Sequence, residues 1–155
     1  MQTFLPYRDF EKSAKCLDYR RLGKQRLEAK QIHDIVSGKA TYTAWRNHPA
    51  VIMWQGYPDA LAEYYNAILD EWIARGYNNT MQHLPVASHY LYPFWLGDPK
   101  FHVSHISNLI RKQPDHYRCY FGFVPDDIPY FWPKPDGHFD VRTHEPVYHF
   151  WYPTR

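Results

Sequence analysis

Apolar residues recur at intervals of three and four along three long stretches of the chain. The first stretch begins at Asp9 or Ser13, either of which suits a helix cap, and runs to Ser37. The second covers residues 58–75 and the third covers residues 99–113, and each opens on a proline. Residues three and four apart share one face of a helix, so this spacing predicts three principal helices with buried stripes.

The rest of the chain has little helical periodicity. Residues 49–54 are predicted to form one short helix, and residues 77–97 a polar and aromatic loop. Pro114 is expected to end the third helix, and the proline- and aromatic-rich stretch after it contains no convincing strand pair. The predicted fold is mainly α: a compact single domain with three principal helices and an irregular C-terminal wrap. Gly23 lies inside the first helix, which indicates either a bend or a close approach to its backbone.

The length and composition favour a small intracellular protein. At 155 residues the chain is long enough for one domain with a substantial core. Its two cysteines are too few for a disulfide scaffold and indicate reduced thiols. The sequence has no signal-peptide pattern and no apolar run near the ~20 residues of a membrane span. We expect a cytoplasmic monomer that does not contact a membrane.

Positive charge is concentrated near the start of the chain. The net charge is only +2, yet the first fifty residues carry ten Lys and Arg against five Asp and Glu. On the first predicted helix, Arg20, Lys24 and Glu28 line one ridge, with Arg21 and Gln25 beside it. A dense cationic helix face suits an anionic polymer better than a small neutral substrate, and an ordinary solvated helix face is the alternative.

The run from Trp45 to His48, just before Pro49, is a second candidate contact region. A Trp ring can stack on an exposed base, Arg46 can bind a phosphate, and Asn47 or His48 can contact a base edge. An aromatic loop that plugs the surface, with a capped helix start, explains the same residues equally well.

Cations also lie on both sides of the end of the third predicted helix. Lys112, Tyr117 and Arg118 lie where that helix meets an aromatic turn, and they form a third candidate contact region. The alternative is that these cations only interact with the negative end of the helix dipole.

Metal signatures are weak in this sequence. Neither C-x-x-C nor H-E-x-x-H occurs, and with ten histidines chance pairs such as His102 and His105 are expected. We predict no metal and no cofactor. A cluster of His, Asp and Glu within residues 138–149 nevertheless leaves open a metal-dependent hydrolase that uses this tail.

Several segments, in order along the chain, match a known family. They are residues 1–7 (MQTFLPY), 21–26 (RLGKQR), 45–49 (WRNHP), 109–112 (LIRK) with Pro114 and Tyr117, and 124–130 (VPDDIPY) with Trp132 and Pro133. Through them the chain resembles the pyrimidine-dimer DNA glycosylase/AP lyase family of the endonuclease V type, and most closely a subgroup of bacterial and phage proteins. The resemblance covers residues 1–134, so residues 135–155 are expected to form a C-terminal aromatic extension packed on that helical domain.

The resemblance implies a compact three-helix fold without a sheet and a reaction on DNA. In the family, the N-terminal α-amine attacks the sugar C1′ of the damaged nucleotide, displaces the base and leaves a Schiff base. β-Elimination then nicks the strand. An α-amine with a pKa near ~8 is appreciably neutral at pH 7, and a cationic groove lowers that pKa. The implied activity is a DNA glycosylase with AP lyase activity, and the implied partner is double-stranded DNA with a damaged or modified pyrimidine.

Two positions depart from the family pattern. The catalytic Glu that follows Tyr-Arg in the family is replaced by Arg21, which leaves Glu28 or Asp18 as the carboxylate, and we prefer Glu28 for its cationic neighbours. Gln2 is large enough to prevent removal of the initiator Met, so the expected nucleophile is the amine of Met1. The expected DNA-binding residues are Arg20, Arg21, Lys24, Gln25, Arg26, Trp45, Arg46, Asn47, His48, Lys112, Tyr117 and Arg118.

Two alternatives to this enzyme remain open at the level of sequence. One is a DNA- or RNA-binding module that keeps the groove without the chemistry, and Arg21 in place of the family's Glu is its main support. The other is the metal-dependent hydrolase described above.

Overall fold

The computed structural model of the protein describes residues 1–40 and 44–141. Within them the chain forms six helices and two short strands. The helices are α1 (Phe10–Cys16), α2 (Tyr19–Val36), α3 (Pro49–Ile52), α4 (Pro58–Ala74), α5 (Pro99–Lys112) and α6 (Pro114–Phe121), and the strands are β1 (Phe131–Pro133) and β2 (Phe139–Val141). The prediction of a mainly α domain is confirmed, with α2, α4 and α5 as its long helices. No helix among these residues is both long and apolar enough to cross a membrane.

The first predicted helix is two helices, because the chain is extended at Leu17 and Asp18. Leu17 ends α1, and Asp18 caps α2 by accepting a hydrogen bond from the Arg21 backbone N–H at 3.3 Å. Asp side chains compete with the helical backbone for such N–H groups and therefore favour helix starts over helix interiors. Of the two expected caps, Asp9 is the cap of α1 and accepts from Lys12 N at 2.9 Å, whereas Ser13 lies inside the helix.

Helix α4 packs against α1 and α2, and Gly23 permits the second contact. A Cβ atom at Gly23 would lie 3.0 Å from the ring of Trp72 on α4. The close approach, rather than a bend, accounts for the glycine, since α2 continues through it as one helix. Also in the core, the rings of Trp54 and Trp95 meet edge to face with their centroids 4.9 Å apart.

The first residues of the chain are extended and cross the interior between α2 and α5. Residues 2–6 are buried. The Leu5 backbone N–H donates to Nδ1 of His105 at 3.0 Å, and the Leu5 carbonyl accepts from Nδ1 of His102 at 2.7 Å. Buried backbone groups require such partners, so these two histidines of α5 fix the path of the N-terminal segment.

The C-terminal part of the described chain is more regular than its sequence indicates. Pro114 does not only end α5 but also opens α6, because proline is well tolerated in the first turn of a helix. The expectation of no strand pair was wrong: β1 pairs with β2 in an antiparallel hairpin, with Trp132 opposite Asp140. The hairpin spans the expected boundary between residues 134 and 135, and residues 142–155 lie outside the described part of the chain.

Candidate active site

The α-amine of Met1 lies in a partly buried position among charged side chains of α2 and α5. Burial is the largest effect and lowers the pKa of the amine below its ordinary value of 8.0. The Glu28 carboxylate acts in the opposite direction, and Lys24 and Lys112 lower the pKa further. A larger fraction of this amine is therefore neutral at pH 7 than of an exposed terminus, and only the neutral form is a nucleophile.

The carboxylate of Glu28 lies near this amine and accepts two hydrogen bonds. Its Oε2 accepts a hydrogen bond from the Gln2 backbone N–H at 3.1 Å and another from Gln25 Nε2 at 3.3 Å. Both donors hold the carboxylate against the first two residues of the chain, while the residue stays partly exposed. Such a group can exchange protons with a substrate bound at the amine.

Gln25 is buried, which places it inside the protein rather than on the expected DNA-binding face. Its Nε2 donates to the Gln2 carbonyl at 2.7 Å, and its Oε1 accepts from the Phe4 backbone N–H at 3.0 Å. The Tyr64 hydroxyl of α4 also donates to this Oε1, at 2.6 Å. The side chain thus binds the N-terminal segment to α2.

Asp18 occupies a different environment from Glu28. Its carboxylate accepts hydrogen bonds from the Tyr117 hydroxyl and, at 3.2 Å, from Arg21 Nη1. Burial alone would raise the pKa of Asp18. The hydrogen bond from Tyr117, together with the charge and hydrogen bonds of Arg21, outweighs burial and holds the pKa below its usual value. Tyr117 is fully buried and likewise not at the surface where a DNA contact was expected.

The cations of α2 divide into exposed and engaged groups. Arg20 and Lys24 are exposed. Arg21 bridges the Asp18 carboxylate and, at 3.3 Å, the Gln113 side chain after α5. Arg26 lies over the ring of Trp72, with 3.9 Å from its guanidinium carbon to the ring centroid, so it points away from the ridge of Arg20 and Lys24.

A sequence model of the family described as pyrimidine dimer DNA glycosylase matches residues 1–85, more than half of the 155-residue chain. The chain belongs to this family. Membership supports a DNA glycosylase, an enzyme whose substrate is DNA. The matched residues contain Met1 and Glu28, and they end before α5. No curated protein and no solved structure matches the chain.

In this glycosylase family member, the run from Trp45 to His48 is at the surface before α3. Trp45 is 38% exposed, and Arg46 and Asn47 are exposed as well. His48 caps α3, since its Nδ1 accepts a hydrogen bond from the Ala50 backbone N–H at 3.0 Å. Trp45, Arg46 and Asn47 are thus available to a ligand, while His48 also serves the helix start that the alternative interpretation described.

The candidate contacts Lys112, at the end of α5, and Arg118, on α6, also differ from each other. Lys112 is close enough to the amine to shift its pKa. Arg118 stabilises a turn, because its Nη1 donates to the carbonyls of Gly122 at 2.8 Å and Val124 at 2.6 Å. Arg118 therefore binds the backbone of the protein, whereas Lys112 lies near the Met1 amine.

The described part of the chain holds no group of three His, Cys, Asp or Glu side chains placed to bind a metal ion. His144, Glu145 and His149 of the histidine-rich tail lie outside the described residues. The pair His102 and His105 holds the Leu5 backbone instead of a metal.

The structure adds Tyr64, His102 and His105 to the residues that organise the site. Tyr64 is one apolar-stripe position among several on its helix, so its periodicity predicts burial and nothing more. The two histidines lie three apart on α5, which places them on one face, but their backbone partner, Leu5, is 97 and 100 residues away in sequence. Only the tertiary fold reveals these contacts.

Proposed function

We propose that this chain removes a damaged or modified pyrimidine from double-stranded DNA and then cleaves the strand as an AP lyase. The nucleophile is the α-amine of Met1, and Glu28 is the carboxylate that transfers protons and stabilises positive charge during the reaction. The observation that carries the proposal is the partly buried amine of lowered pKa beside a hydrogen-bonded Glu28, within the region that matches the family.

The reaction follows from the chemistry of a neutral amine. Its lone pair attacks the sugar C1′, the bond from C1′ to the base breaks, and the base leaves with that electron pair and takes up a proton. The bond from C1′ to the ring oxygen then breaks, the ring oxygen takes up a proton, and an iminium, the Schiff base, forms between C1′ and the Met1 nitrogen. Loss of a proton from C2′ then expels the 3′ phosphate and nicks the strand.

Glu28 suits two tasks in this sequence of steps. A carboxylate close to the amine stabilises the cationic sugar and iminium as their charge develops. The same group can accept and return protons during ring opening and elimination. Its hydrogen bonds from Gln2 N and Gln25 Nε2 support this role because they keep the side chain beside the first residue.

The exposed cations and aromatic ring provide the contacts that duplex DNA requires. Lys24 on α2 acts on the amine and suits a phosphate close to it. The exposed Arg20 and Arg46 suit phosphates farther along the strand. Trp45 can stack on a base that leaves the duplex when an enzyme gains access to a stacked nucleotide.

The experiment that tests the proposal is borohydride trapping on a panel of duplexes. Each duplex carries one lesion, a pyrimidine dimer, a modified pyrimidine or an abasic site, and an undamaged duplex is the control. We expect a covalent protein–DNA adduct on the abasic duplex and on at least one pyrimidine lesion, together with strand nicking that resists chelators. Nicking without an adduct, or loss of nicking with chelator, contradicts the proposed mechanism.

A non-catalytic nucleic-acid-binding module is the second candidate, because Arg21 stands where the family has its catalytic Glu. That candidate predicts DNA binding with no adduct and no nick on any duplex of the panel. The same experiment therefore distinguishes the two functions.

A further inference from the structure

The buried amide of Gln25 uses every hydrogen-bonding position that it has. Nε2 donates its two protons to the Gln2 carbonyl at 2.7 Å and to Glu28 Oε2 at 3.3 Å. Oε1 accepts from the Phe4 backbone N–H at 3.0 Å and from the Tyr64 hydroxyl at 2.6 Å. An amide has two donors and two acceptor lone pairs, so Gln25 is fully satisfied in this arrangement.

The orientation of this amide is determined by its partners. The Phe4 N–H can only donate and the Gln2 carbonyl can only accept, so the oxygen and nitrogen of Gln25 cannot exchange places. Tyr64 adds a further restraint from α4, because its hydroxyl is 2.8 Å from the Phe4 carbonyl and shares its proton between that oxygen and Gln25. Burial raises the pKa of Tyr64, so the hydroxyl remains a donor at all ordinary pH values.

Through one rigid amide, Gln25 therefore contacts both the N-terminal segment that carries the amine and the carboxylate of Glu28. It holds the backbone on either side of Thr3, and so sets where the first residue of the chain stands. It also donates to the carboxylate of Glu28, three residues along the same helix. A group so placed fixes the amine and the carboxylate relative to one another.

We propose that Gln25, held by Tyr64, is a positioning residue that sets the geometry between the Met1 amine and Glu28. This inference rests on the proposed function, in which those two groups carry the reaction. Gln25 does not contact the substrate in this role. The positioning role takes the place of the DNA contact that was expected from its position on the helix.

A purely structural role for Gln25 would make different predictions. Loss of a structural hydrogen bond lowers the free energy of unfolding but leaves each folded molecule equally reactive. Loss of a positioning contact lowers the rate of each folded molecule on bound DNA, because small displacements of reacting groups are costly. The rate at saturating DNA separates these cases.

The first test compares Tyr64→Phe with Tyr65→Phe. Both tyrosines are buried on α4, and the Tyr65 hydroxyl donates to the Gln82 carbonyl at 2.8 Å, away from the N-terminal segment. The two variants therefore lose the same atom, and only one loss touches Gln25. Borohydride trapping on an abasic duplex at saturating DNA should be about 10-fold slower in Tyr64→Phe and near wild type in Tyr65→Phe. DNA affinity should be unchanged in both.

The second test uses Gln25→Glu, which keeps an oxygen for Phe4 N and Tyr64. Ionised, the new carboxylate repels Glu28 and cannot donate to the Gln2 carbonyl. When the new carboxyl group is protonated, its O–H restores one of the two donors that the amide had. The ratio of its trapping rate to that of wild type should therefore rise as the pH falls, even though neutral amine becomes scarcer in both proteins. The titratable groups that face the site are common to both proteins: Glu28, Tyr64, the Met1 amine, Lys24 and Lys112.

The outcomes separate this inference from the proposed function. Wild-type trapping rates in Tyr64→Phe at saturating DNA, or a defect that appears only as weaker DNA binding, would overturn the positioning role. If Tyr64→Phe does not fold, the pH ratio of Gln25→Glu decides, and a flat ratio overturns the inference. Failure of the wild-type protein itself to form an adduct would refute the proposed function and, with it, the reaction that Gln25 serves.

Discussion

Glu28 and Asp18 are the two carboxylates that sequence offers for the chemistry, and their surroundings differ. Glu28 is partly exposed and accepts two N–H groups beside the amine. Asp18 is buried, caps α2 and accepts hydrogen bonds from Arg21 and Tyr117. We therefore propose Glu28 for proton transfer and Asp18 for holding α2 against α6.

Exchanging each carboxylate for its amide tests this division. Glu28→Gln keeps an acceptor for Gln2 N, so the free energy of unfolding should change by under ~1 kcal/mol. Strand cleavage should fall about 100-fold or more, as for the loss of a positioned acid–base group. Asp18→Asn should instead lose about 2 kcal/mol of unfolding free energy through weakened charged hydrogen bonds, with unchanged cleavage per folded molecule.

Both variants are measured by denaturant unfolding and by single-turnover cleavage of an abasic duplex. Normal cleavage by Glu28→Gln, with slow cleavage by Asp18→Asn, would show that Asp18 and not Glu28 is the carboxylate of the reaction. Full activity in both would show that the enzyme works without either.

At the scale of the elements, α5 holds the N-terminal segment through neutral histidines. His105 Nδ1 accepts from Leu5 N, which requires that nitrogen to be unprotonated. His102 accepts from Gly97 N at 2.9 Å through Nε2 and donates through Nδ1, so it too is neutral. Burial lowers the pKa of both, and burial also lowers the pKa of His33 on α2.

The free energy of unfolding should therefore fall as the pH drops below about 6.5, the pKa of His in an unfolded chain. Below that pH the unfolded state binds more protons than the folded state, so each step towards acid favours unfolding. Urea titrations at several pH values between 7.5 and 5.5 measure this slope. His105→Gln should flatten this slope, because His105 is fully buried. Equal stability of the wild type across this range would contradict the buried neutral histidines.

Gly23 makes a second prediction for the packing of α2 on α4. Alanine favours a helix by about 1 kcal/mol over glycine, so Gly23→Ala would stabilise an isolated α2. In the folded protein the new methyl group would press on the Trp72 ring, which is held by a hydrogen bond to the Asn78 carbonyl at 2.8 Å and by Arg26 above it. Overpacking of about 1–3 kcal/mol should outweigh the gain. A higher melting temperature in Gly23→Ala would contradict this packing.

The long helices follow from periodicity, but their interruptions depend on single residues. Asp18 lies in an otherwise continuous helical pattern, and its preference for a cap splits the helix. Pro114 can end one helix or open the next, and sequence alone does not choose between them. The strands of the hairpin have only three residues each, too few for an alternating pattern to stand out.

The candidate site was predictable only in part, for a similar reason. Helical spacing put Glu28 on the ridge of Arg20 and Lys24, and the resemblance pointed to the N-terminal amine. Spacing on a helix cannot tell a buried face from an exposed one at polar positions. Gln25 and Arg26 therefore looked like surface residues, whereas one holds the N-terminal segment and the other stacks on Trp72.

At the scale of the whole molecule, a small set of exposed cations should dominate DNA affinity. Arg20, Lys24 and Arg46 are exposed, and Lys112 lies near the amine. Binding to duplex DNA should weaken with salt, with a log–log slope of roughly −3 to −5 for four or five neutralised phosphates. Fluorescence anisotropy with an undamaged duplex measures the slope.

A matched pair of variants sharpens this measurement. Arg20→Ala should reduce the slope by about one, because it removes one phosphate contact. Arg26→Ala, which removes a cation already stacked on Trp72, should leave the slope unchanged. A flat salt response of the wild type would contradict the assignment of this face to DNA.

The position of the trapped adduct on the protein shows whether the Met1 amine is the nucleophile. After borohydride reduction on an abasic duplex, nuclease and trypsin digestion should leave the sugar remnant on the peptide of residues 1–8, which Arg8 terminates. Tandem mass spectrometry is expected to place it on the α-nitrogen of Met1. A remnant on Lys24 or Lys112, or an N-terminal peptide that begins at Gln2, would contradict the account.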